Sequence, residues 1–222
     1  MPYRKIPIVA GEIYHVFNRS VAKQPIFISQ KDYQRSVEVI DFYRHKDLPM
    51  RFSYYNRLAI PQKQKLIKII AETSSIVEIL AFCLMPNHVH FLLKSLTDHG
   101  IIHFMSNFQN SYAKYFNTRH QRTGTLFQPM FKAVRIESEE QLIHVNRYIH
   151  LNPVTSYILK TIEELESYPW SSYPEYLGIT SGFTSIALIL GLFKNTSSYR
   201  KFTADQVNYQ RQLSKIKHLM LE

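Results

Sequence analysis

The run Cys83-Leu-Met-Pro-Asn-His-Val-His-Phe-Leu-Leu-Lys94 decides both the fold and the candidate chemistry of this chain. A Pro-Asn turn signal divides two apolar runs, which predicts a strand over 76–84 and a second strand over 88–94. Side chains two residues apart on a strand point to the same face, so His88 and His90 can converge on one ligand. Two imidazoles on a rigid sheet indicate a candidate metal site.

The segments on either side of this run predict a mixed α+β fold. Aromatic and β-branched residues over 12–19 favour a strand, and Ser29-Gln-Lys-Asp32 is typical of a capped helix start. The further predicted elements are a helix over 98–117, a strand over 131–136 and a helix that begins after Ser138 and is stopped by Pro153. The first six elements have the βαββαβ order of a ferredoxin-like antiparallel sheet, with helices on one face and the other face free for a site.

The same pattern predicts one folded domain over 1–155 and a helical C-terminal extension over 156–222 that packs on it. Prolines punctuate residues 46–75, which look like an inserted segment with a lysine-rich helix. The nearly continuous apolar run 76–84 is typical of a central strand that is covered on both faces. The polar stretch 197–222 favours a final helix.

Length and composition narrow the classes of protein to which the chain can belong. Its 222 residues suffice for one core, and no apolar stretch approaches the roughly 20 residues needed to span a bilayer. The N-terminus lacks the sustained apolar stretch of a secretory signal, and the single cysteine, Cys83, excludes an internal disulfide. We therefore expect a cytoplasmic protein with no membrane partner. Cys83, alone in an apolar strand, favours core packing over metal ligation.

The charge pattern favours a polyanionic partner. The formal net charge is +10, and no acidic residue occurs between Asp98 and Glu137. That segment interleaves cations with aromatic residues, the combination that binds phosphates and stacks the bases of single-stranded nucleic acid. A generic basic surface is the alternative, and several of the aromatic residues recur at the helical spacing of a packed core. The candidate phosphate-binding residues are Arg19, Lys94, Arg119, Arg122, Lys132, Arg135 and Arg147.

The helix after Ser138 supplies candidate partners for the histidine pair. Tyr148 and Asn152 are four residues apart, so they lie one above the other on the same side of this helix. An amide oxygen beside two imidazoles suits Mg²⁺ or Mn²⁺ better than a thiolate-rich zinc site would. Tyr148 becomes a candidate nucleophile because a metal bound to a phosphate can make that phosphate attackable by a tyrosine. The alternative for Asn152 is a C-terminal helix cap before Pro153.

Two other tyrosines, Tyr112 and Tyr115, are rival nucleophiles because they lie in the basic aromatic segment. Neither has an amide or a carboxylate four residues later that could complete a metal site, since those positions hold Phe116 and Arg119. Tyr148 is therefore the preferred nucleophile.

A family resemblance rests on two motifs that occur together. Pro86-Asn-His-Val-His-Phe91 and Tyr148-Ile-His-Leu-Asn-Pro-Val154 resemble the single-tyrosine HUH transposases, in particular the REP-associated tyrosine transposases. HUH denotes two histidines around a hydrophobic residue, here His88, Val89 and His90. A further motif, Tyr168-Pro-Trp-Ser-Ser-Tyr173, extends the likeness to about residues 12–175.

The resemblance implies a divalent metal, Mg²⁺ or Mn²⁺, on His88 and His90 with help from Asn152. It also implies that Tyr148 attacks single-stranded DNA beside a hairpin and leaves a 5′-phosphotyrosine and a free 3′-hydroxyl. The chain departs from compact members in residues 46–75 and in its tail after about residue 176. The mode of hairpin recognition and the oligomeric state therefore do not carry over directly, so a homodimer, and catalysis within one subunit or across two, stay open.

Two other functions remain open at the level of sequence. A noncatalytic module could bind nucleic acid on a ferredoxin-like sheet with exposed aromatic residues. A metal-dependent nuclease could use water in place of tyrosine, and it would release its product without a protein adduct.

Overall fold

The computed structural model describes residues 7–205 of the chain. The sheet is built from β1 (Ile13–Arg19), β2 (Val77–Met85), β3 (His88–Ser95) and β4 (Lys132–Arg135). The longer helices are α1 (Gln30–Tyr43), α3 (Ile60–Ala71), α4 (Gly100–Arg119), α5 (Glu139–Thr155) and α9 (Thr196–Ala204). The short ones are α2 (Phe52–Tyr55), α6 (Glu163–Glu166), α7 (Tyr173–Tyr176) and α8 (Ala187–Leu190), with a 3₁₀ turn over Val21–Lys23. None of the described helices has the length and apolar character needed to cross a membrane.

The sheet is antiparallel throughout and has the strand order β2-β3-β1-β4. This is the order of a ferredoxin-like sheet, so the predicted fold class and the βαββαβ sequence of elements are confirmed. The register sets Arg19 opposite His88 and Phe17 opposite His90. Side chains that face each other across two strands are neighbours, so β1 lines the surface around the histidine pair.

Helices cover both faces of the sheet. α1 and α4 pack on the face that carries Val89 and Phe91, whereas α5 packs on the face that carries His88, His90 and Leu92. The two helices of the βαββαβ unit, α1 and α4, therefore share one face as predicted, and α5, which follows this unit, covers part of the face that was expected to be free. Both faces of β2 and β3 are apolar over most of their length, and each face needs its own cover to exclude water.

β2 lies at the edge of the sheet, whereas the sequence predicted a central strand. Its outer edge is nevertheless paired with the segment 168–172. The Leu84 amide donates to the Trp170 carbonyl at 2.8 Å. The Ser172 amide donates to the Phe82 carbonyl at 3.0 Å. This added strand-like segment satisfies the backbone groups of the edge, which explains how an edge strand can be buried on both faces.

A buried hydrogen-bond chain joins α5 to β2 and to α9. The Tyr199 hydroxyl donates to Asn146 Oδ1 at 2.8 Å, so its oxygen accepts from His150 Nδ1 at 2.7 Å. His150 Nε2 then accepts from the Ser172 hydroxyl at 2.8 Å, and that hydroxyl accepts from the Phe82 amide at 2.9 Å. One neutral tautomer of His150 is consistent with every one of these hydrogen bonds. Burial lowers the pKa of His150 to about 3, which keeps the imidazole uncharged near pH 7.

The two ends of α5 differ in detail from the sequence prediction. Ser138 caps the helix as predicted, because its Oγ accepts from the Gln141 amide at 3.1 Å. The Gln141 side chain accepts from the Glu137 amide at 2.7 Å, so the expected reciprocal bond is displaced by one residue. Pro153 does not stop the helix, which continues to Thr155. Pro153 lacks the backbone N–H group that would donate within the helix. The final turn nevertheless closes, because the Ser156 amide donates to the Asn152 carbonyl at 3.0 Å.

Residues 46–75 hold α2 and α3, and the second of these corresponds to the predicted lysine-rich helix. The described part of the C-terminal extension packs with α5 and β2 in one apolar cluster. Of the predicted final helix, α9 covers the start, and residues 206–222 lie outside the described residues. The division of the chain into 1–155 and 156–222 stays a prediction.

The neutral state of His150 predicts a loss of stability in acid. The unfolded chain takes up a proton near the ordinary imidazole pKa of 6.5, whereas the folded chain does so only near about 3. Between these two pKa values the unfolded state therefore binds more protons than the folded state. The stabilisation that neutral His150 contributes is complete above pH 6.5 and decreases as the pH falls. We expect His150 alone to lower the free energy of unfolding by on the order of 3 kcal/mol between pH 7 and pH 4.

Urea unfolding of wild type and His150→Gln across this pH range measures the effect. His15 and His88 also have lowered pKa values and contribute to the slope in both proteins, so the difference between the two curves isolates His150. His103→Gln, on the exposed surface of α4, is the control for loss of an imidazole. Parallel curves for wild type and His150→Gln would contradict this assignment.

Candidate active site

The histidine pair and the helix that bears Tyr148 meet on one face of the sheet. The rings of His88 and His90 lie edge to face with their centroids 5.0 Å apart. The Tyr148 ring meets the His90 ring in the same way at 5.7 Å. Asn152 lies one helical turn beyond Tyr148 and is 5% exposed. The structure therefore brings together the four residues that the sequence singled out for chemistry.

A third imidazole, His15, belongs to this cluster and was missed at the level of sequence. His15 Nε2 lies 3.0 Å from His90 Nδ1, and the two rings are stacked with their centroids 5.3 Å apart. The His15 ring also meets the Tyr148 ring edge to face at 5.8 Å. Alternation along β1 shows that His15 and Phe17 share a face, but only the register of β1 against β3 shows that this face carries His90.

Burial keeps the three imidazoles uncharged. It lowers the pKa of His88 to about 4, and the charge of Arg19 adds to this effect. It lowers the pKa of His15 to about 4 as well, and that of His90 falls well below its ordinary value. Neutral imidazole is the form that binds a metal, so the site needs no proton loss near pH 7 to accept one.

The Nδ1 atom of each of His88 and His90 already has a hydrogen-bond partner. His88 Nδ1 lies 2.6 Å from Asn87 Oδ1, and this oxygen can only accept, so Nδ1 carries the proton. The Nε2 atom of His88 is then left with its lone pair. His90 Nδ1 is engaged by His15. Within residues 7–205 no cluster of three or more histidine, cysteine, aspartate or glutamate side chains has metal-site geometry, so an ion here would need an oxygen from Asn152 or from a substrate.

Asn152 is tied to Tyr148 twice. Its Nδ2 donates to the Tyr148 carbonyl at 2.9 Å, and its side chain also bonds to the Tyr148 hydroxyl and lowers the pKa of that group. Arg19 lowers the same pKa through its charge. Burial is the larger effect, and the pKa of Tyr148 is raised overall. Asn152 is not the helix cap that was the alternative, because α5 ends later, at Thr155.

The rival tyrosines and Cys83 are not part of this site. Tyr112 is buried on the opposite face of the sheet, where its hydroxyl donates to the Ile26 carbonyl. Tyr115 lies on the same helix, and its hydroxyl bonds to Asp32 Oδ1 at 3.2 Å. Cys83 is fully buried and its pKa is raised by burial, as expected of a core thiol.

Three of the predicted phosphate-binding residues share the face of the site. Arg19 is exposed at the end of β1, opposite His88. Lys132 is exposed on β4, opposite Phe17. Lys94 lies on the same face of β3 as His90, four residues farther along the strand. Arg19 and Lys132 thus border the histidine pair, and Lys94 is more distant.

The other four predicted cations are placed differently. Arg135 pairs with Glu12 at 2.8 Å, and Arg119 pairs with Asp32 at 3.4 Å. Arg122 donates to Asn117 Oδ1 at 3.0 Å, in the loop after α4. Arg147 was predicted to reach DNA, but it is 8% exposed and donates to the Phe202 carbonyl at 3.1 Å. Its guanidinium stacks on the Phe202 ring at 4.1 Å, so Arg147 is a packing residue between α5 and α9.

Comparison with known proteins finds one family match and two similar solved structures. Residues 51–152 match the family described as "Transposase IS200 like". A solved REP-associated tyrosine transposase bound to a REP hairpin is 16% identical, with 82% of this chain and 88% of that chain covered and a TM-score of 0.50. A candidate transposase from Deinococcus radiodurans R1 is also 16% identical, with 67% of this chain and 95% of that chain covered and a TM-score of 0.34. No match was found among curated proteins.

The family match spans β2, β3, α4, β4 and α5 almost to its end, and therefore includes the strand with the histidine pair and the helix with Tyr148. The structural likeness, at its low identity, concerns the fold alone. Together they confirm the resemblance on which the two sequence motifs agree: residues 51–152 match the IS200-like transposase family, and the chain is similar in fold to a solved REP-associated tyrosine transposase.

Proposed function

We propose that the chain cleaves and rejoins single-stranded DNA through a covalent phosphotyrosine formed on Tyr148. The observation that carries the proposal is the meeting of Tyr148 with His88 and His90 on one face of the sheet, with ring centroids of Tyr148 and His90 5.7 Å apart. These residues come from one chain, which supports catalysis within a single subunit. A homodimer remains a prediction.

In the proposed reaction the Tyr148 oxygen attacks a DNA phosphorus and forms a new P–O bond as the bond to the 3′-oxygen of the preceding nucleotide breaks. The leaving 3′-oxygen gains a proton and becomes a free 3′-hydroxyl, while the Tyr148 proton passes to solvent. The phosphodiester count is conserved, so the reverse attack by a 3′-hydroxyl rejoins a strand without a nucleotide cofactor. Positioning for in-line attack is the main contribution required of the protein.

The donor set fits a divalent ion of the Mg²⁺ or Mn²⁺ type. His88, His90 and the amide oxygen of Asn152 would hold it, as nitrogen and hard oxygen ligands. When bound, the ion would supply charge neutralisation to the non-bridging phosphate oxygens. Asn152 and Arg19 favour the phenolate form of Tyr148, and they partly offset the cost of its burial. Arg19 and Lys132 would contact phosphates beside the cleaved bond.

The DNA substrate is proposed on two grounds. The net charge of +10 favours a polyanion, and the exposed cations Arg19 and Lys132 border the site on its open side. The solved structure with this fold carries a REP hairpin, which makes hairpin-bearing DNA the first substrate to test. A noncatalytic nucleic-acid binder and a water-using nuclease remain the outcomes that would replace this proposal.

Tyr148→Phe should abolish covalent attachment to DNA, with a loss of at least about 10³-fold, because phenylalanine has no hydroxyl with which to form the phosphotyrosine bond. A labelled hairpin-bearing oligonucleotide incubated with Mn²⁺ and run on a denaturing protein gel measures the adduct. Tyr157→Phe, an exposed tyrosine just after α5, is the matched control and should keep the wild-type yield.

Three outcomes of this assay have separate meanings. An unchanged adduct in Tyr148→Phe would show that another residue is the nucleophile. Cleavage without an adduct would identify a water-using nuclease. Binding with neither cleavage nor adduct, unaltered in His88→Ala, would identify a noncatalytic binder.

His15→Phe should weaken Mn²⁺ binding by about 10–100-fold, because the partner of a ligating imidazole fixes its tautomer and orientation. If His90 Nδ1 donates to His15 Nε2 across the observed 3.0 Å, the Nε2 of His90 keeps its lone pair for the ion. Calorimetric titration of the DNA-free protein with Mn²⁺ measures this effect without catalysis. His15→Gln retains an acceptor and should recover part of the affinity, and His103→Gln is the surface control. Equal affinity in wild type and His15→Phe would show that His15 has no positioning role.

A further inference from the structure

On the face of the sheet that carries the histidine pair, the half over β1 and β4 is open to solvent. α5 packs mainly over β2 and β3. On β4, Val134 is 50% exposed and Lys132 is exposed as well. The register sets these two residues opposite His15 and Phe17 of β1, so all four point to the same face. We call this area the β1/β4 surface. It comprises His15, Phe17, Arg19, Lys132 and Val134.

Phe17 is the aromatic centre of the β1/β4 surface. Its ring stacks with the His90 ring, with 5.6 Å between centroids and 27° between planes, and it lies 4.9 Å from the His15 ring. Within residues 7–205, Phe17 belongs to neither of the two apolar clusters that form the core. The residue is partly exposed. Part of this aromatic side chain is therefore accessible to a ligand.

Exposed cations flank Phe17 in two directions. Arg19 follows two residues later, about 7 Å along β1, and Lys132 is the cross-strand neighbour on β4. An aromatic ring between cations is the combination that proteins use for single-stranded nucleic acid, because the ring stacks a base while the cations contact phosphates. The β1/β4 surface thus has the side chains that an unpaired nucleotide needs.

The β1/β4 surface adjoins the proposed nucleophile. The Tyr148 ring meets the rings of His15 and His90 edge to face, at 5.8 Å and 5.7 Å between centroids. Phe17 contacts the same two imidazoles from the side of β4. A base on Phe17 would therefore belong to a nucleotide at the phosphate that Tyr148 attacks, and not to a remote part of the strand.

We propose that Phe17 stacks the unpaired base of a nucleotide next to the phosphate attacked by Tyr148, while Arg19 and Lys132 hold the backbone on either side of that base. The proposal rests on the proposed function for the identity of the cleaved strand. It adds a reason for single-strand selectivity, because a base within a duplex has no free face to offer. The contact requires a base but not a particular one, since every base has a π-face.

A purely structural role for Phe17 makes a different prediction. A side chain that only holds His15 and His90 in place needs no accessible ring and no neighbouring cations. Its replacement would disturb the imidazoles with or without DNA. A stacking role instead affects DNA binding alone, and only when a base is present at the stacked position.

Phe17→Leu should weaken the binding of a hairpin-bearing oligonucleotide with an unpaired flank by roughly 5–150-fold, the range for the loss of one base–aromatic stack. The measurement is made in the Tyr148→Phe background, where no strand is cleaved through the tyrosine. Phe17→Tyr keeps the ring and should keep most of the affinity. Tyr157→Leu removes an aromatic side chain that is 59% exposed just after α5 and is the matched control. Equal affinity with and without Phe17 would overturn the proposal.

Abasic substitutions identify the stacked nucleotide. Removal of one base at a time along the unpaired flank should weaken binding most at one position next to the cleaved bond. At that position Phe17→Leu should cost little further affinity, because the two changes remove the same contact. A loss of the same size from Phe17→Leu on the intact strand and on every abasic strand would contradict stacking.

Titration of the DNA-free protein with Mn²⁺ separates stacking from support of the imidazoles. Phe17→Leu should leave the Mn²⁺ affinity close to that of wild type. A loss as large as that expected for His15→Phe would show that Phe17 positions the histidines, and it would overturn the proposal. Failure of the proposed function has a separate signature, because the wild-type protein would then form no adduct while the coupling between Phe17 and the base is measured without cleavage.

Discussion

The buried, uncharged imidazole of His150 sets the position of α5, the helix that carries Tyr148. α5 crosses the sheet as a separate layer, and the distance of 5.7 Å between the Tyr148 and His90 rings exists only while that layer keeps its depth and rotation. His150 lies two residues after Tyr148, on the other side of the helix. It is bonded to Ser172 on the segment that pairs with β2 and to Tyr199 on α9. The side of the helix that carries Tyr148 is therefore supported by contacts on its opposite side.

This arrangement also gives the C-terminal extension a structural task. Tyr199 of α9 closes the hydrogen-bond chain through Asn146, and Phe202 of the same helix covers the Arg147 guanidinium at 4.1 Å. Each bond of this chain satisfies a buried polar atom that would otherwise cost about 1–3 kcal/mol, although Asn146 Nδ2 at its end has no partner among the described residues. The extension thus completes the support of α5, and the Tyr168–Tyr173 motif of the sequence completes the support of β2. Both lie outside the residues of the family match and act on those inside it.

The sequence predicted the parts of the site that lie close together along the chain, and it missed those that depend on strand register. His88 and His90 share a face by alternation, and Tyr148 and Asn152 share a side by helical spacing, so each pair was predictable. His15 was not, because its contact with His90 requires the pairing of β1 with β3 across 75 positions of sequence. The position of β2 at the edge of the sheet was missed for a related reason: an apolar run shows that a strand is covered on both faces, but not which segment pairs with its outer edge. Arg147 illustrates the same gap, since a cation read as a surface group is buried by a helix far along the chain.

The opposing effects on the pKa of Tyr148 indicate that, in the proposed reaction, this tyrosine reacts only when DNA is bound. Burial raises the pKa of the Tyr148 hydroxyl, and this effect is larger than the lowering by Arg19 and by the hydrogen bond from Asn152. The hydroxyl is therefore neutral and poorly nucleophilic in the free protein. A DNA phosphate at the site would bring negative charge, which by itself raises that pKa further. In the proposed reaction, deprotonation would need a compensating positive charge, and an ion held by the neutral imidazoles of His88 and His90 would supply it. The proposed chemistry thus makes the metal and the DNA phosphate joint requirements for activating Tyr148, and it would leave this half-buried tyrosine unreactive toward other electrophiles.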